Sequence, residues 1–352
     1  MAYLAGKIVV PVEAGAPNNG RGEATTGRVK KTRIRGATYP YVSAQAFRRW
    51  VRDTMTASGS VPSPTVRVGK AQNKAQKATT AADPIQYADD DLFGFMKAGA
   101  KDDAPTTVRD SPFMVGTLLS VEKVWLTEDF GVMSRGIPEP VLHGHEFYTA
   151  DLAAPFLLDV PRVGTFTLPG TGGSGRPNYL TEKDALSMAE AVRAGATSVT
   201  FRGSSAVRLP LPARRERVAV LLDALAELAG GAKQALHYGD RSAALFALVP
   251  MAGGVNPLGF VIGGAEDGSG LRVSGEVLRE ELAAWEGEYE PPVLIGWRPG
   301  FRDELRKQFE EEVADEVDRG AVLIGHPRTV LLDLARRVRG GDHDGWFDDP
   351  TR

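Results

Sequence analysis

Residues 21–55 read RGEATTGRVKKTRIRGATYPYVSAQAFRRWVRDTM. Between Arg21 and Arg52 stand nine Lys or Arg residues against one carboxylate, Glu23. Arg28, Lys30, Lys31, Arg33 and Arg35 lie in a Gly- and Thr-rich stretch without helical periodicity, which predicts a loop or extended arm. After Pro40 the pattern changes. Ser43 is placed to cap a helix whose first turns carry Gln45, Arg48, Arg49 and Arg52, with Phe47, Trp50 and Val51 on an apolar side. Free backbone N–H groups, the positive end of a helix dipole and several cations then converge, and that combination suits phosphate. A solvated charged face is the other reading of such a run. The missing local carboxylates favour phosphate.

Outward from this stretch, GKIVVPVE (6–13) predicts a strand, with Pro11 at an edge or a break in pairing. Residues 57–82 are rich in Ser, Pro, Thr, Ala, Lys and Gln, which predicts a mobile basic insertion. SPFMVGTLLSVEKVWL (111–126) predicts a strand bent at Gly116. TEDFGVMSRGIPEPVLHGH (127–145) predicts a protruding hairpin or lobe. FLLDVPRVGTF (156–166) predicts a further strand. Thr181 and Asp184 have capping-box spacing for a helix to Ala194. RRERVAVLLDALAEL (214–228) predicts an amphipathic helix stopped by Gly230, and SAALFALVP (242–250) a buried strand. Beyond Gly270 the chain reads as acidic and helical, at 301–319 and 329–338, with a frayed tail. The order strand, helix, strand, strand, helix, strand predicts an α+β fold, a ferredoxin-like βαββαβ unit with long insertions.

The 352 residues carry a formal charge of only −3, so the whole-chain charge points to no partner. Its distribution does. Residues 1–80 hold 14 Lys and Arg against Glu13, Glu23 and Asp53, whereas the remainder holds 28 basic and 42 acidic residues. Such asymmetry predicts a polyanion on one surface, and also favours head-to-tail contact between copies. There are no cysteines, which removes disulfides, thiolate zinc sites and cysteine nucleophiles. The first residues lack the features of a signal peptide and no stretch reaches the ~20 apolar residues of a membrane span. A cytoplasmic protein without a membrane partner is the expectation.

Other constellations carry less. His143-Gly-His145-Glu146 lacks HExxH spacing, so the two histidines are expected to touch phosphate or ribose and no metal is expected. GTGGSG (170–175) is not followed by Lys-Ser/Thr and predicts no nucleotide site. GxSxG is absent. Asp89, Asp90 and Asp91 read as a solvated loop or helix cap, or as acids beside a phosphodiester. Met96 reads as core or as an apolar wedge, and Arg135 as a solvated arginine or a backbone clamp. No cofactor and no catalytic residue is predicted.

Five motifs in order carry a resemblance. Ser43-x-Gln45-x-x-Arg48-Arg49 and Asp91-x-Phe93-Gly94-x-Met96 are similar to the corresponding segments of CRISPR-associated Cascade backbone subunits, the Cas seven-type proteins of the DevR branch of the RAMP superfamily. Ser111-Pro112-Phe113, Gly131-Val-Met-Ser-Arg135 and Ala252-Gly253-Gly254-Val-Asn256-Pro257 resemble the same family, over residues 4–265. The resemblance implies an RNA-recognition-motif palm spanning 1–265, with a finger/web at 57–110 and a thumb-like lobe at 127–145. Residues 266–352 depart from it as a helical acidic extension packed on the palm. It further implies several copies stacked head to tail along a CRISPR RNA. Ser43, Gln45, Arg48 and Arg49 would hold phosphates, Met96 would pack against a displaced base, and the lobe would reach over the RNA of the next copy.

The expected function is therefore a non-catalytic guide-RNA carrier of a type I (I-B) Cascade complex. Its partners would be CRISPR RNA, the target DNA strand by way of the guide, further copies of itself and other Cascade subunits. Phosphate contacts without base readout suit a carrier of variable guides. The alternatives are a type III-like, metal-dependent ribonuclease using one of Asp89 to Asp91, and a stand-alone RNA-binding autoregulator.

Overall fold

The structure is a computed structural model that describes all residues except 21, 23–25, 69–76, 98–106, 135, 137–138, 140, 169–184 and 350–352. Strand β1 (Tyr3–Gly15) extends beyond the expected 6–13 at both ends. Leu4, Ile8, Val10 and Val12 enter one core and Ala5 and Val9 another, so both faces are covered, as an apolar run without polar alternation requires. Pro11 lies where β1 keeps one neighbour only, because pairing on its other side stops at Val9. The basic arm is largely paired rather than loose. It forms β2 (Thr26–Gly27), β3 (Lys31–Ile34) and β4 (Ala37–Val42). The β3–β4 hairpin turns at Arg35 and Gly36, both at positive φ (50° and 82°), the pattern of a type I′ turn.

Helix α1 (Ala44–Ala57) buries Phe47, Trp50, Val51, Thr54 and Met55, the one-face spacing read from the sequence. In place of a wholly mobile insertion, residues 57–82 contain a hairpin, β5 (Val66–Val68) with β6 (Lys77–Thr79). The Asp run forms a short helix α2 (Ala88–Phe93), followed by the hairpin β7 (Phe95–Lys97) and β8 (Thr107–Arg109). The strand expected at 111–126 is two pieces, β9 (Phe113–Val115) and β10 (Leu118–Ser120). The break falls at Gly116, where a Cβ would sit 2.9 Å from the Pro155 ring.

The lobe is the antiparallel hairpin of β11 (Thr127–Met133) and the first part of β12 (Val141–Asp159). β12 is the largest departure from the sequence reading, which starts a strand only at 156. Its polar, glycine-containing beginning HGHEFYTAD looks like loop. The strand persists because its partners change along it: β11 and β2 first, then β1 with β10 and β9. A three-stranded sheet of β13 (Thr165–Thr167), β14 (Thr197–Phe201) and β15 (Ser204–Arg208) follows, with α3 (Ala185–Arg193) between its first two strands. The predicted capping pair and GTGGSG lie outside the described residues.

Helix α4 (Leu211–Ala226) precedes β16 (Leu245–Met251), whose seven residues are all buried. Then come β17 (Ile262–Gly264), β18 (Leu271–Val273), α5 (Gly275–Ala284), β19 (Val293–Trp297), α6 (Asp303–Glu312), α7 (Ala314–Asp318), β20 (Val322–Gly325) and α8 (Pro327–Gly340). The region read as helical thus also adds two strands to the main sheet, since β19 pairs with β16 and β20 with β19. Nor is the tail frayed up to residue 349: Trp346 and Phe347 are buried in the first core.

The main path of the sheet runs β20-β19-β16-β1-β12-β10-β4-β3 and is mostly antiparallel. One core gathers side chains of α1, α4 and α8 against it, and the second those of α5 and α6. No described helix is long and apolar enough to cross a membrane.

Candidate nucleic-acid interface

The arm and α1 carry the basic residues, but several of these cations have partners far along the chain. Arg28 Nη1 donates to Glu146 Oε1 at 2.7 Å and to Glu128 Oε1 at 3.1 Å. Lys31 Nζ donates to Glu146 Oε1 at 2.7 Å, and the Val29 N–H to Glu146 Oε2 at 3.0 Å. Glu146 is only 2% exposed. Burial opposes its ionisation, yet the bonds from Lys31, Arg28 and the Val29 amide outweigh that and hold its carboxyl below the usual range. Arg49 Nε contacts both oxygens of Asp53, at 2.6 and 2.7 Å. Arg52 Nε lies 3.0 Å from Asp89, with its guanidinium carbon 5.0 Å from the Phe93 ring centroid. The expectation of an unneutralised cluster therefore fails at Arg28, Lys31, Arg49 and Arg52. Asp53 was visible nearby, but Glu146 and Asp89 arrive from distant segments.

What remains open is smaller and better defined. Arg33, Arg35 and Gln45 are exposed and Lys30 is half-buried; Lys30, Arg33 and Arg35 have no ion pair among the described residues. Ser43 occupies the N-cap of α1 but makes no side-chain cap hydrogen bond; its own N–H donates to Asn18 Oδ1 at 2.9 Å. Its hydroxyl is thus left for another acceptor or donor. Arg48 lines an open cleft of ≈ 490 Å³ with Gly94, Phe95, Ser111, Met114 and Arg162. Its Nε is buried and has no hydrogen-bond partner among the described residues. Burial, and then the neighbouring Arg52, hold its pKa below the usual arginine value. A partly desolvated guanidinium with no ion pair among the described residues gains from acquiring an anion, although the carboxylate of Asp110 lines the same cleft.

Gly94 fixes how this cleft is built. Its φ is +67° and a Cβ there would lie 2.2 Å from the Arg109 carbonyl oxygen, so glycine alone lets α2 turn directly into β7. Met96 follows on β7 and is 69% exposed, so core packing is excluded for it. Arg162, Met114 and Phe95 were not singled out from sequence. None stands in a charged run or a spacing pattern, so the sequence holds no signal for them.

Asp89, Asp90 and Asp91 are neither solvated nor free. Asp91 pairs with Arg109, accepts from Arg217 Nη1 at 2.7 Å and from the Gly164 N–H at 2.8 Å. Asp90 accepts from Ser63 Oγ at 2.7 Å and the Asp83 N–H at 3.0 Å. Asp89 accepts from the Ser63 N–H at 3.1 Å as well as meeting Arg52. All three are buried and tie α2 to its surroundings.

The two histidines separate. His143 is exposed, its ring against Gly131 across the hairpin. His145 is buried, 4.8 Å centroid to centroid from His237 and 3.6 Å from Asp129, because the loop after α4 covers it. His145 is therefore not presented at the surface, unlike His143. Among the described residues no group of three or more His, Asp or Glu is arranged to hold a metal. Arg21 and Arg135 lie outside the described residues.

No protein-family model matches the chain, and no curated protein matches it. The fold is similar to solved structures. One, a "CRISPR RNA-guided surveillance complex" chain, superposes with a TM-score of 0.55 at 11% identity, over 95% of this chain and 98% of its own length. A second, from a "CRISPR RNA-guided surveillance complex, pre-nicking", gives 0.55 at 10% identity, over 96% of this chain and 100% of its own. Nearly the whole chain therefore shares its mixed α+β fold with chains of these complexes.

Proposed function

We propose that the protein is a guide-RNA-binding backbone subunit of a type I, I-B-like Cascade complex. Copies line up head to tail along one CRISPR RNA, hold its phosphates, and present its bases to a target DNA strand alongside other Cascade subunits. The chain itself cuts nothing. The strand sequence β1, β9–β10, β12, β16, laid out as β16-β1-β12-β10 with α1 and α4 in the first core, supports reading the centre as a ferredoxin-like, RNA-recognition-motif palm. On that reading β5 to β8 belong to the finger/web and the β11–β12 hairpin is the thumb. The surveillance complexes that share the fold are RNA-guided by their descriptions.

The single observation that carries the reading is Arg48: a guanidinium held by α1, partly desolvated, its Nε without a partner among the described residues, in an open cleft with Arg162, Asp110 and the apolar Phe93, Phe95 and Met114. Such a site takes a phosphate and its adjoining base without reading sequence. The ribonuclease alternative loses its acids, because Asp89 to Asp91 are buried and engaged. The test is binding of a short single-stranded RNA across a salt series. Arg48→Ala should weaken binding about tenfold and reduce the log–log salt slope by about 0.7, the loss of one single-strand phosphate contact. An unchanged slope removes α1 from the interface.

A further inference from the structure

The acidic C-terminal helices have no role in that account, and their placement supplies one. The two ends of the eight-strand path carry opposite charge. One end is the β3–β4 hairpin, where β3 pairs with β4 alone among the described residues. Arg33 and Arg35 are exposed there beside Ile34, itself 41% exposed. The other end is β20, which pairs with β19 alone among the described residues, and α7, which leads into it. Most nearby carboxylates are used internally: Glu310 by Arg306, Glu304 by Lys307, Glu312 by the Gly275 N–H. Glu311, Asp315 and Asp318 are exposed and have no ion pair among the described residues. Val317 and Leu323, 39% and 44% exposed, provide apolar surface on the same segment.

Strands spaced ~4.8 Å apart put these edges roughly 30 Å from each other, so they cannot neutralise one another within one molecule. We propose that the acidic edge of α7 and β20 is the docking surface for the basic β3–β4 hairpin of a second copy. This rests on the head-to-tail reading above and names what the junction is made of. Such a contact is heterologous: every junction leaves one free basic edge and one free acidic edge, so it propagates. Ile34 against Val317 and Leu323 gives the contact an apolar centre, while the charges set its direction and its salt dependence.

The test uses the full chain without RNA, followed by sedimentation velocity at low and high salt. The wild-type protein should self-associate at low salt and lose that association as salt rises. The double variant Asp315→Lys with Asp318→Lys should associate about tenfold or more weakly, since like charges then face each other. Adding Arg33→Glu and Arg35→Glu to the same chain restores opposite signs and should recover association. A wild type that stays single at low salt, or a double variant that associates as the wild type does, overturns the proposal. Binding of an RNA shorter than one subunit's footprint is measured in parallel. If RNA is bound normally while the charge swap has no effect, the contact alone is wrong. If the swap behaves as expected but no RNA binds, the guide-RNA reading falls and the contact stands.

Discussion

At the scale of single residues, the same ion-pair chemistry has opposite meanings at two places. Arg49 and Asp53 face solvent one helical turn apart, so their pair contributes only about 0.3–0.5 kcal/mol. Asp91 is fully buried between Arg109 and Arg217. Removing it strands two desolvated guanidinium groups, so Asp91→Ala should cost about 3–5 kcal/mol. Urea unfolding checks both: Arg49→Ala should leave the midpoint almost in place, and Asp91→Ala should move it far down. A small loss for Asp91→Ala would mean that α2 is not anchored as described. This distinction was illegible in the sequence. Asp91 stands in a run of three carboxylates, while its partners lie 18 and 126 positions away. Local composition reports which charges are neighbours along the chain, and burial decides which are neighbours in space.

The elements were legible in proportion to how much of their pattern is local. β1, α1, α4 and β16 were readable because one periodicity runs through each. β12 was not, since its first half is held by β11 and β2 rather than by an apolar run. The short strands β19 and β20, VLIGW and VLIG, were hidden by the acidic helices around them, although every residue of β19 is buried. The basic arm shows what this costs a site prediction. Its cations were legible, but its neutralising carboxylate, Glu146, belongs to the unread strand. Glu146 gives a pH test of the arm as an element. Its folded pKa is depressed, so its contribution is present above the unfolded carboxylate value of about 4.3 and is lost as pH falls through the lower folded value. As pH falls through that lower value, the Val29 amide of the wild type should lose protection relative to its intrinsic exchange rate at the same pH. In Glu146→Ala, which removes the acceptor, protection should already be lost at neutral pH, with no acid step. Hydrogen exchange of the 26–31 segment reads both, and a persistent acid step in the variant would assign the effect elsewhere.

At the scale of the whole molecule, the question is how many cations each copy has to offer a nucleic acid. The sequence shows nine between Arg21 and Arg52, which at about 0.7 per single-strand contact would give a log–log salt slope near −6. In the fold, Arg28, Lys31, Arg49 and Arg52 already hold carboxylates. Releasing Glu146 or Asp89 would leave a desolvated anion, so the pairs of Arg28, Lys31 and Arg52 should survive RNA binding, whereas the exposed Arg49–Asp53 pair can give way to a phosphate. Lys30, Arg48 and Arg49 remain for the RNA, with Arg33 and Arg35 on the hairpin that faces the next copy. A single copy on a short RNA should then show a slope of about −2 to −3. Fluorescence anisotropy titrations over a salt series measure it directly. A slope near −6 would mean that the internal pairs open on binding, that the arm is remodelled by its ligand, and that the groove described here is not the one the RNA occupies. A slope near −2 to −3 that also loses about 0.7 in Arg48→Ala would place the strand along α1.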